Sequence, residues 1–420
     1  MACGLGVDFG SSGLRLALLD RGRAPVQLLA EEASAYPRPF VDPEGWRQGL
    51  IALCARLPAQ QRARVGAIAL DGTSGTLLLC RPDGSLAPGP LGLALPYHQS
   101  CVEQAARAQA LVPQGPAASP SGSLARALAL LEAAGSAPGA WRLRHQADWL
   151  MGWLLGDWRW GEEGNNLRLG WDLERQAWAG ALGQQPWSAA LPEICASGSV
   201  LGTLAPAAAA ALGLPPHCRV VAGSTDANAA VLAADLRPGD GLTVLGTTLV
   251  LKQFSPQPLH GPGMSCHRLA GQWLVGGASN AGGGLLRRFY SDAQIAELSR
   301  QIDPRRPTGL ALRPLPAPGE RFPVDDPNLE PVLEPRPVSD ALYLQALLEG
   351  LAEMERSGWS RLAALGAPPL QRVITLGGGA RNPQWRALRQ RLLQVPVLNR
   401  PGLTAAMGMA KLALTALPLP

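Results

Sequence analysis

The sequence predicts an α/β protein built as two related lobes, and three observations carry that expectation. Two distant segments share one pattern: a β-strand, a Gly-Ser/Thr-Ser/Thr turn and a second strand. The first surrounds Gly10-Ser11-Ser12-Gly13 and the second surrounds Gly246-Thr247-Thr248. Strand and helix signals are mixed in both halves, the mark of an α/β architecture. Near Pro215-Pro216 the chain starts over, with a new strand, helix and hairpin in succession.

The elements follow in order. Gly4 to Asp8, Leu14 to Leu19 and Val26 to Ala30 read as the opening strands. Asp42-Pro43 starts a helix, with Asp as N-cap and Pro at the first helical position. Its apolar side carries Trp46, Leu50, Ile51, Leu53 and Leu57. Val65 to Leu70 is a buried strand that runs into the turn Asp71-Gly72-Thr73-Ser74-Gly75, and Thr76 to Cys80 is the next strand. Arg81-Pro82-Asp83-Gly84 is a tight turn by its Pro and Gly positions. A loop from Val112 to Gly122 precedes helical patterns at Leu124 to Ala134 and His145 to Leu155.

The second half opens with a strand, Val220 to Gly223, a helix, Asp226 to Asp235, and the second hairpin, Thr243 to Leu251. The lobe boundary is placed in the loop before Val220, which gives domains 1–218 and 219–420. Asp303 to Pro337 is dense in proline and reads as a long ordered loop, because Gly319-Glu320-Arg321-Phe322-Pro323 is not low-complexity. A helix from Ser339 to Leu365 follows. The strand Val373 to Leu376 then enters Gly377-Gly378-Gly379-Ala380-Arg381-Asn382-Pro383, and Thr404 to Leu414 is the last helix.

Composition narrows the function classes. The 420 residues are too many for one ordinary domain and fit two or three. Hydrophobic residues make up 47% and charged residues 16%, far from the disordered regime. The net charge of +5 is dispersed. Its one concentration is Arg381, Arg386, Arg389, Arg391 and Arg400, on a segment whose Trp385, Leu388, Leu392 and Leu393 form a buried stripe. These arginines are expected on the solvated face, so no nucleic-acid partner is expected. The seven cysteines include no Cys-x-x-Cys pair, which argues for a reducing cytoplasm rather than a disulfide scaffold or zinc site. The N-terminus enters its first strand without a basic region and cleavage site, so no signal peptide is expected. No apolar run reaches the roughly 20 residues of a membrane helix.

Phosphoryl transfer requires held phosphates, a divalent metal and a base that aligns the attacking oxygen. No Gly-x-x-x-x-Gly-Lys-Ser/Thr occurs, which excludes a P-loop enzyme. Glycine turns bring backbone amides and hydroxyls close to phosphate oxygens, so Gly10, Ser11, Ser12, Gly246, Thr247 and Thr248 are candidate phosphate contacts. Asp8, at a strand end before the first turn, suits Mg²⁺ held through water, and equally suits an ordinary turn aspartate. Asp226 opens a helix, where it is either a cap or a carboxylate that takes a proton from a sugar hydroxyl. Gly377, Gly378 and Gly379 leave room for a flat base or ribose, with Asn382 capping the helix and in reach of a ligand; a plain glycine-rich turn has the same sequence. Thr73 and Ser74 suit sugar recognition at a strand end, or a simple hairpin turn. His98 reads as a loop or packing histidine.

These clusters, in this order, resemble the FGGY carbohydrate kinases of the actin/hexokinase/heat-shock-chaperone ATPase superfamily, nearly end to end. Gly6-Val7-Asp8-Phe9-Gly10-Ser11-Ser12 is similar to the family's first phosphate turn and Gly246-Thr247-Thr248 to its second. Gly223-Ser224-Thr225-Asp226 resembles the segment that carries the catalytic base. Pro318 to Pro323 is similar to the Gly-Glu-Arg-x-Pro loop, and Leu376 to Asn382 to the adenosine motif. The resemblance implies two ribonuclease-H-like domains with the active site in the cleft between them, and ATP and Mg²⁺ as cofactors. It implies Asp226 as catalytic base and Asp8 as the metal residue. Phosphates would lie on Gly10, Ser11, Ser12, Gly246, Thr247 and Thr248, and adenosine on Gly377, Gly378, Gly379 and Asn382. The family's Trp-x-Asp-x-Arg segment is replaced here by Leu95-Pro96-Tyr97-His98-Gln99-Ser100. The likeness is strongest to the compact cyanobacterial and plant D-ribulose kinase branch. By that branch Asp8, Ser74 and Asp226 contact a ketopentose phosphorylated on its 5-hydroxyl. D-xylulose is the alternative substrate, and a non-catalytic actin-like ATP-binding regulator is the alternative class.

Overall fold

The computed structural model describes residues 3–22, 26–135 and 139–418. The chain packs as two compact units. One comprises Met1–Ala233, Arg268–Gly271 and Thr404–Pro420, and the other 234–267 and 272–403.

The first unit holds β1 (Cys3–Gly10), β2 (Gly13–Asp20), β3 (Gln27–Ser34), β4 (Val65–Gly72), β5 (Leu77–Cys80), β6 (Arg142–His145), β7 (Val200–Thr203) and β8 (Arg219–Thr225). Six of them form a sheet in the order β7-β8-β4-β1-β2-β3. β8, β4 and β1 are parallel, and β1, β2 and β3 form antiparallel hairpins. β4 is buried along its whole length, as a central strand covered on both faces must be. The helices of this unit include α1 (Pro43–Ala55), α2 (Ser123–Ala134), α3 (Gln146–Leu155) and α4 (Asp226–Ala233). The expected cap of α1 is present, with Asp42 accepting the Glu44 amide at 3.0 Å.

The second unit contains β9 (Asp240–Leu245), β10 (Leu249–Ser255), β11 (Met264–Leu269), β12 (Gln272–Ala278), β13 (Arg372–Leu376) and β14 (Val397–Asn399), ordered β11-β12-β10-β9-β13-β14. Its helices include α5 (Asp340–Ala364) and α6 (Pro383–Leu393). β14, β13 and β9 are parallel, whereas β9, β10 and β12 alternate in direction. This matches β8, β4, β1, β2 and β3 strand for strand. The Gly10 and Gly246 turns therefore occupy equivalent places, each joining the central strand to its antiparallel neighbour. The two-lobed α/β expectation is met.

The packing units divide elsewhere than the expected 218/219 boundary. β8 hydrogen-bonds to β4, and α4 continues directly from it. The last helix, α7 (Ala405–Thr415), also returns to the first unit. It lies so close to β1 that a Cβ on Gly6 would stand 2.0 Å from the Ala406 carbonyl oxygen. Lys411 Nζ donates to the Ala233 carbonyl at 2.8 Å, tying α7 to the end of α4.

Two further local expectations change. The Asp71–Gly75 segment is not a hairpin turn, because β5 leaves the β4 sheet and pairs with β6 instead. The arginines of 381–400 are not all solvated. Arg381, Arg386 and Arg400 are exposed, but Arg389 is buried against Glu355 and Arg391 pairs with Glu349 at 2.6 Å. Segment 303–337 is a long loop as expected, held by bridges between Arg313 and Val332 and between Glu320 and Asp326. Among the described residues no two cysteines form a disulfide, and no helix is long and apolar enough to cross a membrane.

Candidate active site

In the first unit, three aspartates stand at the ends of three adjacent parallel strands. Asp8 lies near the end of β1, Asp71 near the end of β4, and Asp226 directly after β8. Ligands in open α/β sheets bind at such strand ends. Asp8 is buried and pairs with Arg15, its register partner on β2, at 3.2 Å. Burial raises the Asp8 pKa, and Asp71 and Arg15 pull it back. Asp71 is fully buried beside the Asp8 carboxyl. Burial, then the charges of Asp8 and Asp226, push it well above the ordinary carboxylate range. Asp226 accepts the Ala227 amide at 2.8 Å. Burial lifts its pKa to about 6 against that amide, and the Asp8 charge adds to the lift.

The residues around the aspartates are polar and ordered. Tyr36 donates to the Gly10 carbonyl at 2.7 Å. Its phenol is driven upward by burial, against a Gln146 hydrogen bond, with Asp8, Asp71 and Asp226 adding to the rise. Gln146 Oε1 accepts from the Thr73 amide at 3.0 Å and hydroxyl at 2.9 Å. Ser74 is half-buried and its amide helps hold the Asp226 pKa down. Ser11 and Ser12 are exposed at the tip of the first turn. The structure thus brings Asp8, Ser74 and Asp226 into one neighbourhood, and adds Asp71, Tyr36 and Gln146. An acidic residue ending a buried strand was the signal for Asp71. Tyr36 and Gln146 carried none, because they arrive from separate elements.

The segment that departs from the family pattern borders the same turn. Arg126, on α2, is fully buried and donates to the carbonyls of Gly75 at 3.0 Å, Gln99 at 2.9 Å, Ser121 at 3.0 Å and Tyr97. Burial presses its pKa down to about 10. The Tyr97 amide donates to Thr76 Oγ1 at 3.2 Å, and the Tyr97 and His98 rings meet edge to face.

In the second unit, the other predicted contacts gather at the ends of β9 and β13. The Gly246 amide donates to the Thr248 carbonyl at 3.1 Å. The turn rests on Gly283 and Gly284, whose amides donate to Gly246 and Thr247 at 2.9 and 3.1 Å. Gly377 has φ +84°, and a Cβ there would stand 2.6 Å from the Leu245 carbonyl oxygen, so only glycine fits. Around Gly378 the space is open. Asn382 caps α6, its Oδ1 accepting two amides at 3.0 Å and its Nδ2 donating to Ser299 at 2.8 Å. Its polar ends are thus already engaged. Glu320 anchors the long loop beside this region, accepting from Ser279 Oγ at 2.5 Å and the Asn280 amide at 2.7 Å.

Residues 241–417 match the C-terminal domain of the FGGY family of carbohydrate kinases. The xylulose kinase from Rhodospirillum rubrum superposes with a TM-score of 0.81 at 23% identity, covering 99% of this chain and 91% of that one. Glycerol kinase from Plasmodium falciparum with ADP gives 0.79 at 14%, covering 97% and 88%. Gluconate kinase from Lactobacillus acidophilus gives 0.75 at 16%, covering 98% and 89%. Kinases named for three different substrates share the fold, so the fold does not choose among them. The chain shares its fold with these sugar kinases, and its residues 241–417 are similar to the C-terminal domain of the FGGY family of carbohydrate kinases.

Proposed function

We propose that this protein is an ATP-dependent sugar kinase that phosphorylates the 5-hydroxyl of a ketopentose, D-ribulose foremost and D-xylulose as the alternative. The observation that carries the reading is Asp226, a carboxylate lifted to about 6 beside Asp8 at the strand ends. A general base works best with a pKa near working pH, and clustered perturbed carboxyls mark functional sites.

In this reading Asp226 takes the proton of the attacking hydroxyl, and Asp8 and Ser74 orient the sugar. Gly10, Ser11, Ser12, Gly246, Thr247 and Thr248 hold the phosphates, and Gly377, Gly378, Gly379 and Asn382 border the adenosine. Asp8 fits Mg²⁺ held through water, since magnesium needs only one or two carboxylates. When bound, the ion neutralises charge on the phosphates.

The test is ADP release from purified protein with Mg²⁺-ATP against ketopentoses, glycerol and aldoses, with a no-sugar control. Strong stimulation by D-ribulose supports the full reading, and stimulation by another sugar keeps the kinase and corrects its substrate. A flat panel with ATP still bound overturns it in favour of a non-catalytic regulator.

A further inference from the structure

We infer that the buried pair Glu355–Arg389 is a positioning device for the two glycine turns of the second unit. The inference rests on the reading of those turns as nucleotide contacts. Thr243 on β9 and Thr375 on β13 are direct register partners. Thr243 Oγ1 donates to Glu355 Oε1 at 2.6 Å, and Arg389 Nη1 donates to Thr375 Oγ1 at 2.7 Å. Arg389 closes the ring with two bonds to Glu355, Nε to Oε2 at 2.5 Å and Nη2 to Oε1 at 2.7 Å. Trp359 Nε1 adds a donor to Oε1 at 3.3 Å. Each of the four ring members comes from a different element: β9, β13, α5 and α6.

All four side chains are buried, with exposures of 0% for Thr243, Thr375 and Glu355 and 1% for Arg389. A buried ion pair is no more stabilising than well-packed apolar residues of the same size, so stability does not explain it. Register does. The backbone ladder fixes β9 against β13, but only side chains fix how far α5 and α6 sit along them. Leucine contacts permit sliding, whereas a planar guanidinium fork on a carboxylate does not. The pinned threonines lie just before the turns: β9 runs from Thr243 into Gly246, and β13 from Thr375 into Gly377. Arg389 lies on the helix that Asn382 caps. One network therefore sets the height of all three candidate nucleotide contacts in this unit.

The experiment replaces the pair by apolar residues of similar size, Glu355→Leu with Arg389→Met, and measures KM for ATP, ADP affinity, KM for the sugar and Tm. The expected variant folds cooperatively, with a Tm lowered because the Thr243 and Thr375 hydroxyls and the Trp359 N–H lose their bonds to the pair. Its KM for ATP and its Kd for ADP rise about tenfold or more, as misplacement of positioning groups does. Its KM for the sugar stays within about twofold, because the sugar contacts lie in the other unit. A second variant, Thr243→Val with Thr375→Val, keeps the strand side-chain shape and removes only the hydroxyls. It is expected to raise KM for ATP in the same direction. Either folded variant with wild-type affinity for ADP and wild-type KM for ATP overturns the positioning role. A wild-type protein that binds no adenine nucleotide overturns the kinase reading itself, so the two failures are separable.

Discussion

Asp71 and Ser224 are register partners across the parallel strands β4 and β8. That pairing brings the Asp71 carboxyl and Asp226, which follows β8, to one edge of the sheet. Asp8 reaches the same edge because β1 lies on the other side of β4. The acidic cluster is therefore a product of strand order, and the predictions below probe its parts and supports.

Asp226→Asn is expected to keep ATP binding and lose turnover by the roughly 10²–10⁴ typical of a general base. Steady-state kinetics with a nucleotide-binding control would check this, and near-normal turnover would remove Asp226 from that role.

The pH profile of kcat/KM is expected to show an acid limb near 6 rather than near the ordinary 3.8 of an aspartate. The sign follows from the chemistry: the carboxylate is the base, so activity falls as pH drops through the raised folded pKa. The same shift makes the protonated form the more stable one. Its stabilising contribution is complete below about 3.9 and is lost as pH rises through about 6. Asp226→Asn should accordingly gain in Tm over the wild type at pH 8 and lose that advantage at pH 4. An acid limb at 4, with no pH-dependent difference in Tm, would contradict the shift.

Arg126→Lys is expected to raise KM for the sugar about tenfold while leaving KM for ATP unchanged. The guanidinium holds four carbonyls around the Gly75 turn, and an ammonium cannot span that fan of acceptors. Equal changes in both KM values would point to general unfolding instead.

Gly6→Ala tests the seating of α7. The added Cβ would lie 2.0 Å from the Ala406 oxygen and 2.1 Å from the Ala410 nitrogen, so the helix must lift. The expected cost is about 1–3 kcal/mol or more in denaturant unfolding. A wild-type midpoint would show that α7 does not bear on β1.

Sequence and structure divide along the range of the interactions involved. What the sequence determined is local: the two hairpins with their glycine turns, the Asp42 and Asn382 caps, and the phosphate and base candidates at strand ends. Turn and cap chemistry is decided by neighbours in the chain, so a few residues suffice to read it. The matched order of motifs extended that reading to the fold class, and the two glycine turns do sit at equivalent places in the two sheets.

Tertiary structure alone decided the rest. β5 pairs with β6, far along the chain, because the sheet edge offered to it lies there and not on β4. α7 packs on the first sheet where Gly4 and Gly6, lacking side chains, let its backbone come so close that a Cβ on either would overlap it. Arg389 reads as a solvated arginine on an amphipathic helix, yet it is buried because Glu355 meets it from another helix. Asp71 becomes part of the acidic site only when β1 and β8 flank it. Hydrophobic periodicity states which face of an element is buried; it does not state which charged group waits on the opposing element, and that partner decides whether a buried charge can exist at all.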